Sequence, residues 1–374
     1  TDGEMIYAVD FYCHSSSPLV NIFYIVYHFC VDMGEKIKIL RRSYCEKYGE
    51  QILLTLKREQ KNVILRWKRS KGASCSLWTK DEVNFVEKTV KMLTDFDLGQ
   101  ICDSGQCFRM ERITEQECDT YDAGPDETGA GYYRVIAGRR YLEVMQQGEK
   151  VTFFCGEAEY EDFWKDYFDL EADYGAWKAK INPNDKYLTA AAALGGGIRI
   201  LRQDLWEMIV SFLISQQNHI ARIRRCIRNI CEKYGEPMTD FRGETYYAFP
   251  RPESLASLEE NALMECNLGY RSKYVVRTAR SVVSGEVDLE QIREMSYAKA
   301  REELLKLFGV GGKVADCICL FALHHLQAFP IDTHISQALE RHYKRGFPNR
   351  RYQGIQGVMQ QYIFYYELFG KEMK

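Results

Sequence analysis

The stretch LKLFGVGGKVADCICLFALHHLQAFPIDTH, residues 305–334, constrains the fold more than any other part of the chain. The run leading into it, Tyr297–Leu307, is built of strong helix formers, and Gly309 and Gly311 stop it where positive φ is needed. Beyond the turn, Val314, Cys317, Ile318, Phe321 and Ala322 recur at helical spacing, so a second helix buries that stripe. A Gly-x-Gly turn at a helix start presents backbone N–H groups to an anion. Lys313 falls in the first turn of this helix. Asp332 follows Pro330, where Asp commonly caps a helix, here the one beginning THISQALERHY.

An amine, a carboxylate and an anion seat suit chemistry beside a phosphate. A lysine attacks only as the free amine, and with an ordinary pKa of about 10.4 few lysines are neutral at pH 7. The positive end of a helix and a dry pocket favour that neutral form. A phosphate-binding loop is excluded, because it needs Gly six residues before the Lys and Ser or Thr after it, where this chain has Leu307 and Val314. Taken alone, Lys313 also reads as a solvated helix-start lysine and Asp332 as a plain cap.

The segment LFGVGGKVADCICLFAL…AFPIDTH resembles the helix-hairpin-helix, Gly-Pro-rich loop and Asp signature of DNA glycosylases, specifically the 8-oxoguanine DNA glycosylase family of bacterial type. Blocks at 95–110 (DFDLGQICDSGQCFRM), 197–223, 267–275 and 358–370 are similar to the family's and stand in its order, so the likeness spans roughly residues 90–370. Phe308 replaces the family's hairpin proline. The resemblance implies a bifunctional glycosylase and AP lyase. Lys313 is then the amine that displaces the damaged base and forms a Schiff base, Asp332 is the essential carboxylate, and β-elimination nicks the strand. The target base has to be flipped out of the duplex first.

The resemblance also assigns a recognition set. Gln360 corresponds to the residue on the base's pairing edge, and Phe364 and Cys317 to the two sides of a sandwich around its ring. Gly105 corresponds to the residue whose carbonyl accepts the ring N–H that 8-oxoguanine has and guanine lacks; guanine would face that carbonyl with a lone pair. On the opposite strand, Arg222 and Arg271 align with arginines that hold the orphaned cytosine, and Tyr270 with the wedge in the gap. Gln217 stands where the family has Asn. Gly309, Gly311 and His334 align with phosphate contacts. From residue type alone, Phe364 reads as core, Gly105 as a turn glycine, and the arginines at 222, 224, 225 and 228 as a solvated helix face.

The expected fold class is α+β: an antiparallel, TATA-binding-protein-like sheet domain over 84–180, then a mostly α-helical helix-hairpin-helix domain over 181–374. Helical periodicity marks 204–214, 218–233, 297–307, 312–324, 333–343 and 355–369, whereas 84–156 alternates like strands joined by Gly turns. The acidic, aromatic segment 159–177 bridges the two, its Tyr and Trp serving as packing. Residues 1–80 lie outside the resemblance. They carry 13 basic and 8 acidic side chains against a net −3 for the whole chain, an extension of unassigned role that reads as a solvated surface, the alternative being a basic patch that touches DNA. The apolar run at 18–31 is too short for a membrane span and lacks the features of a signal peptide.

A net charge of −3 argues against binding a polyanion through bulk charge, leaving a local basic face around 220–228, Arg271, Lys273, Arg277 and Arg280 to meet DNA. Thirteen scattered cysteines without a C-x-x-C pair point to reduced thiols, and the cysteine cluster of iron–sulfur relatives is missing after Cys319, so no metal or other cofactor is expected. The reading is a monomeric, cytoplasmic bacterial repair enzyme acting on double-stranded DNA that carries 8-oxoguanine opposite cytosine. The alternatives are a glycosylase for another lesion and a non-catalytic helix-hairpin-helix DNA-binding module, which would require neither Lys313 nor Asp332.

Overall fold

The computed structural model describes strands at 38–45, 51–58 and 61–68, and residues 87–113 and 130–370. The apolar run at 18–31 lies outside the described residues. The chain divides into two compact units, the first comprising Thr1–Lys88 and Gln116–Asp126. In that first unit β1 (Lys38–Cys45), β2 (Gln51–Arg58) and β3 (Lys61–Lys68) form an antiparallel sheet in the order β1-β2-β3. The sequence reading had placed no element there.

The second unit holds a sheet and a helical region. Its strands are β4 (Thr89–Met92), β5 (Met110–Ile113), β6 (Gly131–Ala137), β7 (Arg140–Gln147) and β8 (Lys150–Phe153), ordered β4-β8-β7-β6-β5 and antiparallel throughout. The pairs Ala137↔Arg140 and Gln147↔Lys150 close two-residue turns, and Gly138 and Gly148 supply the positive φ, 58° in each, that such turns require. Against the sheet pack Tyr160, Trp164, Tyr167 and Phe168, all buried, from the segment expected to bridge the two regions.

The helices bearing on the site are α1 (Leu98–Asp103), α2 (Lys186–Gly195), α3 (Leu205–Ser215), α4 (Ile220–Tyr234), α5 (Arg271–Val283), α6 (Tyr297–Leu304), α7 (Gly312–Phe321), α8 (Thr333–His342) and α9 (Gln356–Phe369). Aspartate side chains cap four of them: Asp97, Asp185, Asp204 and Asp332 each accept from a backbone N–H in the first turn of α1, α2, α3 and α8. Helix α3, almost wholly apolar, runs through the core, with α7 packed against it. The run 205–215 thus behaves as a buried helix rather than an amphipathic surface one.

Three buried polar connections lock the sheet to the helices. Arg199 donates to the carbonyls of Thr94, Asp95, Asp169 and Ala172 at 2.8–3.2 Å. The Gln106 side chain donates to Ser104 Oγ and Arg199 O at 2.9 Å, and its oxygen accepts from Leu201 N at 2.9 Å. Arg109, entering β5, meets Glu207 on α3 at 3.3 Å, with both side chains buried. Burial pushes the Glu207 carboxyl up to about 7, with Arg109 opposing the rise.

Candidate active site

Helices α6 and α7 meet at the glycine turn. Asp316 on α7 holds the pair together, accepting from Arg301 Nε and Tyr297 Oη at 2.7 Å each. Gly309 has φ +91°, and a Cβ there would sit 2.7 Å from Cγ of Tyr274, so both the backbone conformation and the close approach to that ring require glycine. Gly311 corrects the expectation of positive φ. It is the α7 N-cap with φ −95° and ψ 176°, an extended conformation open to any residue. Gly311 is exposed, and the first backbone N–H groups of α7 lack partners within the helix.

Lys313 is half-buried in the first turn of α7, its Nζ 5.6 Å from the ring centre of Phe212 on α3. One turn further along, Cys317 is buried. Burial pushes its thiol up to about 11; Lys313 opposes the rise by charge and hydrogen bonding, while Asp332 contributes to it by charge. The amine, the thiol and the carboxylate therefore share one neighbourhood. Asp332 Oδ1 caps α8 by accepting from Ile335 N at 2.8 Å, which fixes the carboxylate.

A second group gathers beside these. The Gly105 turn, φ +72°, lies against Phe364, whose Cε1 would be 3.2 Å from a Cβ on that glycine. His334 is exposed and stands edge-on to Phe364 at 6.1 Å between ring centres. Gln360 departs from its expected presentation. Only 3% exposed, its amide donates to Pro330 O at 3.0 Å and its oxygen accepts from Gln361 at 3.1 Å. It steadies the segment that leads into Asp332 and does not offer a free edge.

The opposite-strand candidates separate in the same way. Tyr270 is 46% exposed at the start of α5, and Arg222 is exposed on α4, with Nη2 3.3 Å from Asn267 O. Arg271, expected to offer its fork to a base, is 4% exposed. Nε donates to Gln216 O at 2.9 Å, Nη1 to Leu268 O at 3.3 Å and Nη2 to Gln217 O at 3.0 Å, with a further bond from Nη2 to Gln216 O. The guanidinium holds the α3–α4 loop, and the backbone carbonyls it meets there replace the solvent lost on burial. Gln217 is exposed with φ +47°, uncommon outside glycine. Of the other arginines, Arg224 turns inward to Cys102 O at 2.8 Å and Arg228 pairs with Glu111 at 3.0 Å.

Sequence reasoning missed Gln106, Arg199, Glu207 and Gln216. The available signal was a polar side chain inside or at the edge of an apolar run, as Glu207 is in LWEMIV. Among the described residues no three His, Cys, Asp or Glu side chains converge to hold a metal ion, and no helix is long and apolar enough to cross a membrane.

Comparison with known proteins fits this geometry. Residues 88–209 match the profile of the 8-oxoguanine DNA glycosylase N-terminal domain, and residues 210–353 that of the HhH-GPD superfamily of base excision DNA repair proteins. A Saccharomyces cerevisiae N-glycosylase/DNA lyase is 38% identical over 66% of this chain and 68% of its own length; a probable N-glycosylase/DNA lyase of Methanothermobacter thermautotrophicus is 32% identical over 59% of this chain and 72% of its own. The Clostridium acetobutylicum 8-oxoguanine glycosylase/lyase, bound to double-stranded DNA with cytosine opposite 8-oxoG, is 32% identical, has a TM-score of 0.68 and covers 85% of this chain and 98% of its own. By these matches, over a sheet domain followed by a mostly helical domain, the chain belongs to the 8-oxoguanine N-glycosylase/DNA lyase family of the HhH-GPD superfamily.

Proposed function

We propose that this chain is a bifunctional DNA glycosylase and AP lyase of base excision repair, removing 8-oxoguanine from duplex DNA with Lys313 as nucleophile and Asp332 as the carboxylate beside it. The observation that carries the reading is the placement of Lys313 in the first turn of α7 and of Asp332 as the cap of α8, both acting by charge on the Cys317 thiol. The lone pair of Lys313 Nζ bonds to C1′ of the flipped nucleotide as the N-glycosidic bond breaks and its electron pair departs with the base. Loss of the amine's proton and opening of the sugar leave a Schiff base. Removal of a C2′ proton then expels the 3′ phosphate, which nicks the strand. The fixed charge of Asp332 stabilises the cationic sugar as the base departs.

Recognition follows from the surrounding surfaces. The Gly105 carbonyl accepts the lesion's ring N–H, and Phe364 and Cys317 flank its ring. Gln360 reads the pairing edge only by exchanging its bond to Pro330. Tyr270 wedges into the gap, Arg222 and Gln217 face the orphaned cytosine, and the α7 start with His334 grips phosphate. Arg271 joins them on leaving the α3–α4 loop. The protein works as a monomer on chromosomal DNA in a bacterial cytoplasm. An excision assay on duplexes with 8-oxoguanine opposite each of the four bases tests the reading: free 8-oxoguanine and a cut strand are expected, fastest opposite cytosine. Absence of released base from every duplex would overturn it.

A further inference from the structure

We infer that Gln216 is a positioning residue coupling the opposite-strand loop to the catalytic lysine, a role that rests on Lys313 being the nucleophile. Gln216 follows the last turn of α3 and is tied in two directions. Its side-chain Nε2 donates to Gly309 O at 3.0 Å and to Leu213 O at 3.3 Å. Its main-chain carbonyl accepts from Arg271 Nε at 2.9 Å, and the neighbouring carbonyl of Gln217 accepts from Arg271 Nη2 at 3.0 Å. One residue thus takes the guanidinium of α5 on its backbone and hands an amide hydrogen to the turn that opens α7.

Both ends of this bridge rest on the same helix. The Gly309 turn lies against Tyr274, and Phe308 O accepts from Thr278 Oγ1 at 3.5 Å, so α5 carries the hairpin as well as Tyr270 and Arg271. Phe212, one turn before Gln216 on α3, lies 5.6 Å from Lys313 Nζ. Gln217 is held at φ +47° by Arg271, a conformation that persists only while its surroundings enforce it. When an opposing base draws Arg271 or Gln217 outward, the Gln216 carbonyl loses its donors. Its side chain then shifts at Gly309, which places the α7 start and Lys313. The loop has two discrete arrangements, Arg271 engaged or released, and the identity of the opposing base biases them.

The test compares single-turnover excision by the full chain at saturating enzyme, with 8-oxoguanine opposite C and opposite A. Gln216→Met, which keeps the volume and removes the donor, is expected to lower the C-to-A rate ratio by about tenfold while the ratio of duplex affinities moves less than about twofold. Gln216→Lys, which restores a donor, is expected to recover the ratio. Equal slowing on both duplexes, or an unchanged ratio, would overturn the inference. A wild-type rate independent of the opposing base would also overturn it while leaving Lys313 as nucleophile; loss of covalent trapping would overturn the Lys313 reading instead. Should the variants fail to fold, hydrogen exchange on wild-type protein decides. With a tetrahydrofuran abasic duplex, amides 309–314 are expected to be protected differently opposite C and opposite A, and identical protection would overturn the coupling.

Discussion

Lys313 and Asp332 each stand at the start of a helix, Lys313 in the first turn of α7 and Asp332 as the cap of α8. At the start of α7 the amine stands beside backbone N–H groups that no side chain caps, and at the start of α8 the carboxylate is clamped by a backbone bond. Clamping lets charge and cap be separated by mutation. Asp332→Asn keeps an oxygen for Ile335 N and loses the charge, so turnover is expected to fall at least about 100-fold with little change in unfolding free energy. Asp332→Ala also loses the cap and is expected to cost about 1 kcal/mol more. Denaturant titration beside single-turnover kinetics checks both; an equal loss of stability in the two variants would contradict the assigned geometry. Arg271→Ala tests a residue whose surroundings were not legible. A planar cation of this kind suggests base contact, but two of its three carbonyl partners, Gln216 and Gln217, are distant in sequence, and the same fork that suits a base also suits backbone oxygens. Its removal is expected to weaken stability by about 1–3 kcal/mol as well as selectivity, since buried carbonyls lose their donor. Chemical denaturation with no change would contradict that.

Among the elements, the glycine hairpin shows how local rules divide neighbouring residues. Gly309→Ala meets both a positive φ and the Tyr274 ring and is expected to destabilise by about 1–3 kcal/mol. Gly311→Ala, with extended backbone and nothing within 4 Å of a Cβ, is expected to change stability by less than about 0.5 kcal/mol. Equal effects, measured by thermal unfolding, would contradict the turn geometry. The hairpin, α3, α4, α7, α8 and α9 were legible because apolar periodicity and cap residues agree there. Helices α2 and α5 were not singled out: α2 is an alanine-rich run with little patterning, and α5 begins among the arginines and tyrosines that looked functional. The sheet was legible through its alternation and turn glycines. The β1–β3 strands were not, because basic residues interrupt their apolar pattern on both parities.

At the scale of the molecule, the sheet and the helices of the second unit are joined by buried polar connections. Arg199, Gln106 and the Arg109–Glu207 pair make those connections from inside, and they are not legible in the sequence because partners such as Arg199 O for Gln106 lie far away along the chain. With its folded carboxyl near 7 against an ordinary 4.5, Glu207 contributes stability that is fully present below about 4.5 and is lost as pH rises through about 7. Asp169 runs the other way. Burial raises its carboxyl, but His324 and Arg202 outweigh burial and hold it below the ordinary 3.8, so its contribution is present above that value and disappears in stronger acid. Glu207→Gln is therefore expected to flatten the dependence of melting temperature on pH between 5 and 7, and an unaltered profile would contradict the buried pairing. The central claim, that Lys313 forms the bond to the sugar, is tested most directly by borohydride reduction during reaction with 8-oxoguanine duplex. A covalent protein–DNA adduct is predicted for the wild type and none for Lys313→Gln; an adduct of undiminished yield in Lys313→Gln, or none in the wild type, would contradict it.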